Sequence, residues 1–205
     1  MILLGGLALG LWGLWWPEPY LVCVIALALA PVVALVLVAT SGGELVFFEG
    51  EGGLPKADVS MLVTLPLLAL WLRSMDFAMI DWIPACLAAG AVGVVVAGLA
   101  LIRTDGGKAL VVGAGASLWA WSVGIEANVF ATLGSTTFVR TEVVEKRDTS
   151  DSNYLTLKPP LYRGVPKEVD VAWRFYQAAK PGDEVCVLVH HGAFGWRWWE
   201  VDFCP

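Results

Sequence analysis

The chain has 205 residues, 58% of them hydrophobic and only 16% charged, with a mean hydropathy of +0.70. An ordinary soluble domain carries about 25% charged residues, so this composition excludes a soluble globule. The formal net charge of −6 excludes a basic surface able to neutralise phosphates, and nucleic acid is therefore not an expected partner.

The charges are unevenly placed. Of the basic residues only Lys56, Arg73, Arg103 and Lys108 precede Ser135, while nine Lys or Arg and ten Asp or Glu follow it. This asymmetry predicts a transmembrane helical domain over residues 1–133 and a small extramembrane β domain over residues 134–205.

A membrane-spanning helix takes about 20 apolar residues. Residues 2–16 have no basic flank and no small-residue cleavage site, so they read as a retained first span. It ends in Trp12, Trp15 and Trp16, whose amphipathic rings suit the headgroup interface. Pro17 and Pro19 enforce a turn, and residues 21–40 form the cleanest span, with Pro31 as an expected kink. Residues 41–60 are a loop bearing Glu44, Glu49, Glu51, Lys56 and Asp58. Its acidity reads as solvation rather than a cation site, with residues 45–48 apolar enough to dip into the interface. Residues 61–72, with Pro66, are the weakest span and read alternatively as re-entrant or tilted. Residues 80–102 follow, where Gly90, Gly93 and Gly98 are expected to allow close helix approach. Residues 109–133 are the last span. The expected fold is a membrane α-helical bundle of five, or else four, transmembrane helices followed by a small mostly-β domain. With five spans, Lys56, Arg103 and Lys108 share the side of the N-terminus, which the positive-inside bias places in the cytoplasm with the tail outside.

In the tail, residues 138–146 and 154–158 flank the turn formers of 148–153 and predict one hairpin. Residues 169–179 read as a short strand leading into a helical turn. After Pro181 and Gly182, residues 184–191 and 196–203 bracket a glycine-bounded loop and predict a second hairpin. If it folds about Gly195, Cys186 and Cys204 stand equally far from the turn and face each other, which predicts a disulfide and an oxidising compartment. The remaining cysteines, Cys23 and Cys86, lie in apolar segments.

Glu126 is the carboxylate set inside an apolar span, with Asn128 beside it. One reading is a proton or cation site; the other is a group near the outer interface, hydrogen-bonded to Ser122 one turn back. His190 and His191 are adjacent and point to opposite faces of a strand. His190 shares a face with Cys186, but a Cys/His nucleophile or zinc site drawn there lacks an orienting carboxylate and a full ligand set. Asp148, Asp151 and Asn153 do not match a calcium-loop spacing and read as a solvated turn. Phe194, Trp196, Trp198 and Trp199 give the last strand an aromatic surface for the core, the membrane or a partner. No catalytic constellation, metal site or cofactor motif is found.

Residues 176–204, with Pro181-Gly182-Asp183-Glu184-Val185-Cys186-Val187, then His191-Gly192-Ala193-Phe194-Gly195 and Trp198-Trp199, resemble the end of uncharacterised bacterial multi-pass membrane proteins that carry a small β domain. The likeness covers about thirty residues and implies a bacterial inner-membrane setting without an activity. The expected role is a non-enzymatic accessory, assembly or interaction protein working with the lipid bilayer and a membrane or envelope protein, or as a homo-oligomer. The alternative is a small transporter or channel component using Glu126. A thiol redox enzyme using Cys186 and Cys204 is disfavoured, because the two are far from a CxxC spacing.

Overall fold

The structure, a computed structural model, describes residues 2–15, 17–41, 45–46, 57–102, 104–132, 135–150 and 152–204. Of the acidic loop, Glu44, Phe47, Phe48, Glu49, Glu51 and Lys56 lie outside the described residues, as do Trp16, Arg103, Leu133 and Asp151. The chain forms two compact units, one of Met1–Asp76 with Ala85–Glu126 and one of Phe77–Pro84 with Ala127–Pro205.

The first unit is helical. Helices α1 (Ile2–Trp15), α2 (Tyr20–Thr40), α3 (Ser60–Ser74), α4 (Trp82–Leu101) and α5 (Gly106–Phe130) coincide with the five apolar stretches. A parallel pair of two-residue strands, β1 (Leu45–Val46) and β2 (Ala57–Asp58), lies between α2 and α3. Among the described residues three helices, α2, α4 and α5, are long and apolar enough to cross a membrane. These mark the chain as a membrane protein. The expected five or four spans are thus reduced to three helices of spanning length, because α1 has 14 residues and α3 has 15. At 1.5 Å per residue such a helix reaches about 22 Å, short of a hydrocarbon core about 30 Å thick. Pro31 and Pro66 both sit inside continuous helices. Next to the Leu27 carbonyl, whose usual donor Pro31 lacks, the Ala28 carbonyl accepts a hydrogen bond from the Trp119 indole of α5 at 2.9 Å.

Small residues set how closely these helices pack, though not chiefly the ones expected. A Cβ on Gly93 would meet Ser117 and the Gly113 carbonyl of α5, whereas Gly90 and Gly98 face open space. A second close approach is made by Gly6 and Gly10 of α1, spaced as in GxxxG, against Leu62 and Leu65 of α3. Beside them Cys23, Val24 and Leu27 of α2 and Ala69 and Leu70 of α3 form the buried core. A Cβ on Gly6 would lie 2.6 Å from the Leu62 Cα, a backbone contact that no rotamer change relieves. Gly6→Ala is therefore expected to cost about 2 kcal/mol by overpacking, and Gly98→Ala nothing, read as thermal unfolding in detergent.

The second unit is a curled, six-stranded antiparallel sheet, a half-barrel. Its strands are β3 (Ala78–Met79), β4 (Thr137–Asp148), β5 (Asn153–Leu157), β6 (Glu168–Asp170), β7 (Glu184–His191) and β8 (Arg197–Phe203), ordered β3-β8-β7-β4-β5-β6. A short helix α6 (Trp173–Ala178) precedes β7. Both expected hairpins are present, β4 with β5 and β7 with β8. Alternation places Val143, Leu155, Leu157, Val169, Val185, Val187 and Val189 in the core. Leu161, Tyr162 and Val165 from the β5–β6 connection pack against it, with Phe175 and Tyr176 of α6. Strand β3, pairing with β8 through Ala78↔Trp199 and Met79↔Trp198, was not expected; it comes from the connection between α3 and α4.

Candidate functional site

The singled-out residues fall into separate places. In the first unit, Glu126 is 2% exposed. Its Oε1 accepts a hydrogen bond from the Tyr20 hydroxyl at 3.1 Å, while its Oε2 is buried with no hydrogen-bond partner among the described residues. The expected bond from Ser122 is absent, because that hydroxyl donates to its own i−4 carbonyl, Leu118, at 2.9 Å. Glu126 is thus tied to the first residue of α2 rather than within its own helix.

Asn128, two residues further along, belongs to the second unit and does different work. It is fully buried in the last turn of α5. Its Nδ2 donates to the Trp196 carbonyl at 2.9 Å, its Oδ1 accepts from the Phe194 amide at 3.0 Å, and its own carbonyl accepts from the Ala193 amide at 3.0 Å. These bonds close the β7–β8 loop, so Asn128 is a structural clasp and not part of a polar pair with Glu126. Gly192 allows the approach: a Cβ there would come within 2.1 to 2.3 Å of three Asn128 side-chain atoms.

The next residue of the hairpin is held as firmly. Asp81 accepts from the Arg197 Nε and Nη2, both at 2.7 Å, and from the Arg197 amide at 2.9 Å, while Arg197 Nη1 donates to the Tyr162 hydroxyl at 3.3 Å. Bidentate pairing of this kind is geometrically specific. Asp81, immediately before α4, finds its partner more than a hundred positions away. The guanidinium hydrogen bonds hold the Asp81 carboxyl below the usual carboxylate range. A depressed folded-state pKa gives stability that is present above the unfolded value of about 4 and lost as pH falls through the folded one. Asp81→Asn is expected to cost about 1 to 2 kcal/mol near neutrality and to flatten the stability loss below about pH 4, followed by circular dichroism.

The aromatic surface divides between two faces, since adjacent strand residues point oppositely. Trp199 packs against the sheet core, whereas Trp198 stacks on His190 with ring centroids 4.1 Å apart and meets Phe77 edge-on at 6.1 Å. Phe194 is 56% exposed, and Trp196 is half-buried with its ring 5.1 Å from that of Phe194. His190 does have a carboxylate: its Nε2 lies 3.1 Å from Glu200 Oε1, and its Nδ1 lies 3.1 Å from the Thr136 hydroxyl. Sequence spacing missed both contacts. No thiol is available to it, because Cys186 and Cys204 form a disulfide with Cα atoms 4.9 Å apart. The register differs from the expected one: Cys186 lies opposite Asp202, and Cys204 follows the end of β8. The hairpin is centred on Phe194 instead of Gly195, a shift by two positions that keeps both sulfurs on one face.

Of the remaining motifs, the Asp148–Asn153 turn is closed by Thr149 and Ser152 through hydrogen bonds of 2.9 to 3.1 Å. Among the described residues no group of three or more His, Cys, Asp or Glu is placed to hold a metal ion. Cys23 is buried and Cys86 exposed, both as free thiols. No family model, curated protein or solved structure matches the chain.

Proposed function

We propose that this chain is a membrane-anchored accessory or assembly protein that presents a small disulfide-bonded β domain on the extracytoplasmic side of a bacterial inner membrane. The observation that carries this reading is the Cys186–Cys204 disulfide on a chain with three membrane-length helices. Stable disulfides belong to oxidising compartments. The loop charges agree when five helices cross; with three crossings Lys56 moves to the tail's side, and the disulfide alone carries the sidedness. Three crossings (α2, α4, α5), or five with α1 and α3 tilted through a locally thinned bilayer, are both odd and put the two termini on opposite sides. A four-span arrangement would not. The sheet then serves an envelope or membrane protein, or a second copy of the chain.

The test is thiol labelling in intact cells with a membrane-impermeant reagent. Labelling of Cys186 and Cys204 that requires prior reduction but not lysis supports the reading, whereas labelling that requires lysis and no reduction overturns it. Substrate turnover by the purified protein alone would equally sink the accessory role.

A second reading, a small transporter or channel component, is favoured by one observation: a buried carboxylate whose Oε2 lacks a partner, set in a helix of spanning length. It predicts that Glu126→Gln abolishes flux through reconstituted vesicles with abundance unchanged. The accessory reading predicts equal abundance and no change in any flux.

A further inference from the structure

We propose that the tip of the β7–β8 hairpin is a lipid-binding foot, in which Phe194 and Trp196 lie in the boundary between headgroups and acyl chains beside Trp82, Ile83 and Phe130. This rests on the reading of α4 and α5 as membrane spans. The tip is bound to the ends of those two helices. Asn128, in the last turn of α5, holds residues 193, 194 and 196, and Asp81, immediately before α4, holds Arg197. A span ends at the interfacial layer, so a loop hydrogen-bonded to its last turn lies within a few ångströms of that layer.

The surface exposed there suits that layer. Trp82 is 55% exposed, Ile83 54%, Phe130 47% and Phe194 56%. Trp and Phe at the end of a span form an interfacial belt, and the Phe194–Trp196 contact continues that belt from the helix ends onto the sheet. These rings sit on residues hydrogen-bonded to the last turn of α5 and to the residue before α4, which argues for lipid as their occupant rather than a protein. The charge at the tip is already spent: Arg197 is paired bidentately with Asp81 and donates to Tyr162. The foot accordingly takes a zwitterionic bilayer as readily as an anionic one, and salt does not release it.

The experiment places an environment-sensitive fluorophore at position 194 (Phe194→Cys in a Cys86→Ala background) in the full chain, with the native disulfide intact. The protein is reconstituted in phosphatidylcholine vesicles containing a shallow nitroxide-labelled lipid. A second label replaces the exposed Lys180, which lies before β7 and so about 25 Å from the tip along that eight-residue strand. A third, on native Cys86 in the unmodified chain, reports whether α4 lies in lipid. The proposal expects the label at 194 to be blue-shifted and quenched at least about twofold, unchanged by about 0.5 M salt, with the label at 180 unaffected. A label at 194 as wet as that at 180, with Cys86 quenched, overturns the foot and leaves the spans intact. No quenching at Cys86 overturns the spans and the foot together. A blue-shifted but unquenched label at 194 means that protein covers the tip, and also overturns the proposal.

Discussion

Asn128→Leu is expected to destabilise the β unit by about 2 to 4 kcal/mol. Leucine nearly matches asparagine in volume, so the cost is not a cavity. It comes from the Phe194 amide, which loses its partner, and from the Trp196 carbonyl, which keeps only the Gly192 amide at 3.2 Å, at about 1 to 3 kcal/mol for the orphaned amide and about 1 kcal/mol for the bond lost at the carbonyl. The Asn128 carbonyl still receives the Ala193 amide, so the loop is loosened and not released. Gly192→Ala attacks the same clasp from the other side. Its Cβ would come 2.1 Å from Asn128 Nδ2, and the amide cannot turn away without breaking both side-chain bonds. The two changes should be strongly non-additive. In a cycle that pairs Gly192→Ala with Asn128→Ala, which removes the atoms the new Cβ would strike, the double variant should be more stable than the sum of the single losses predicts, by about 1 to 2 kcal/mol. Thermal unfolding followed by near-ultraviolet circular dichroism of the tryptophan-rich hairpin reads this directly. Additive losses would refute the clasp.

Cys204→Ser is expected to cost about 3 kcal/mol. The bridged residues are 18 positions apart, and closing a loop of that size in the unfolded chain is worth roughly this amount in the chain-entropy description. Cys186→Ser should cost at least as much, because Cys186 is 1% exposed and the hydroxyl would be buried among apolar neighbours, whereas Cys204 is half-buried beyond the end of β8. Denaturant titration of wild type with and without reductant is the companion measurement. The reduced wild type should match Cys204→Ser within a few tenths of a kcal/mol, and a reductant-insensitive midpoint would show that the bridge contributes nothing to stability.

Much of this architecture was legible because simple periodicities govern it. The apolar stretches announced five helices, and turn formers around Val-rich and Thr-rich runs announced both hairpins. The disulfide partners were legible too, though the register was off by two positions. Loop length sets register, and a glycine at 195 says less about where a five-residue loop turns than the bonds it makes with Asn128. Span number was misjudged because hydropathy does not measure helix length: α1 has 14 residues before Pro17, and α3 has 15, from Ser60 to Ser74. Other features left no sequence signal. Ala78–Met79 is too short to show any alternation, and Asp81 gives no hint of Arg197. Asn128 looked like a companion of Glu126 because the two are adjacent on one helix. Its partners are backbone groups of a distant loop, which no side-chain pattern encodes.

The pairing of β3 with β8 constrains how the protein is made. Ala78 and Met79 leave the ribosome about 120 residues before Trp198 and Trp199, the residues they pair with. Throughout the synthesis of α4, α5 and most of the sheet, that short segment has no strand to join, and its pairing waits for β8. A fragment beginning at residue 134 would carry β8 with an uncovered edge and Arg197 without its carboxylate, and such edges template aggregation. The tail is thus poorly suited to expression as an isolated domain. Its biogenesis has to wait for the chain around it, so a stop codon within β8 would disturb a segment laid down before α4 and α5 exist.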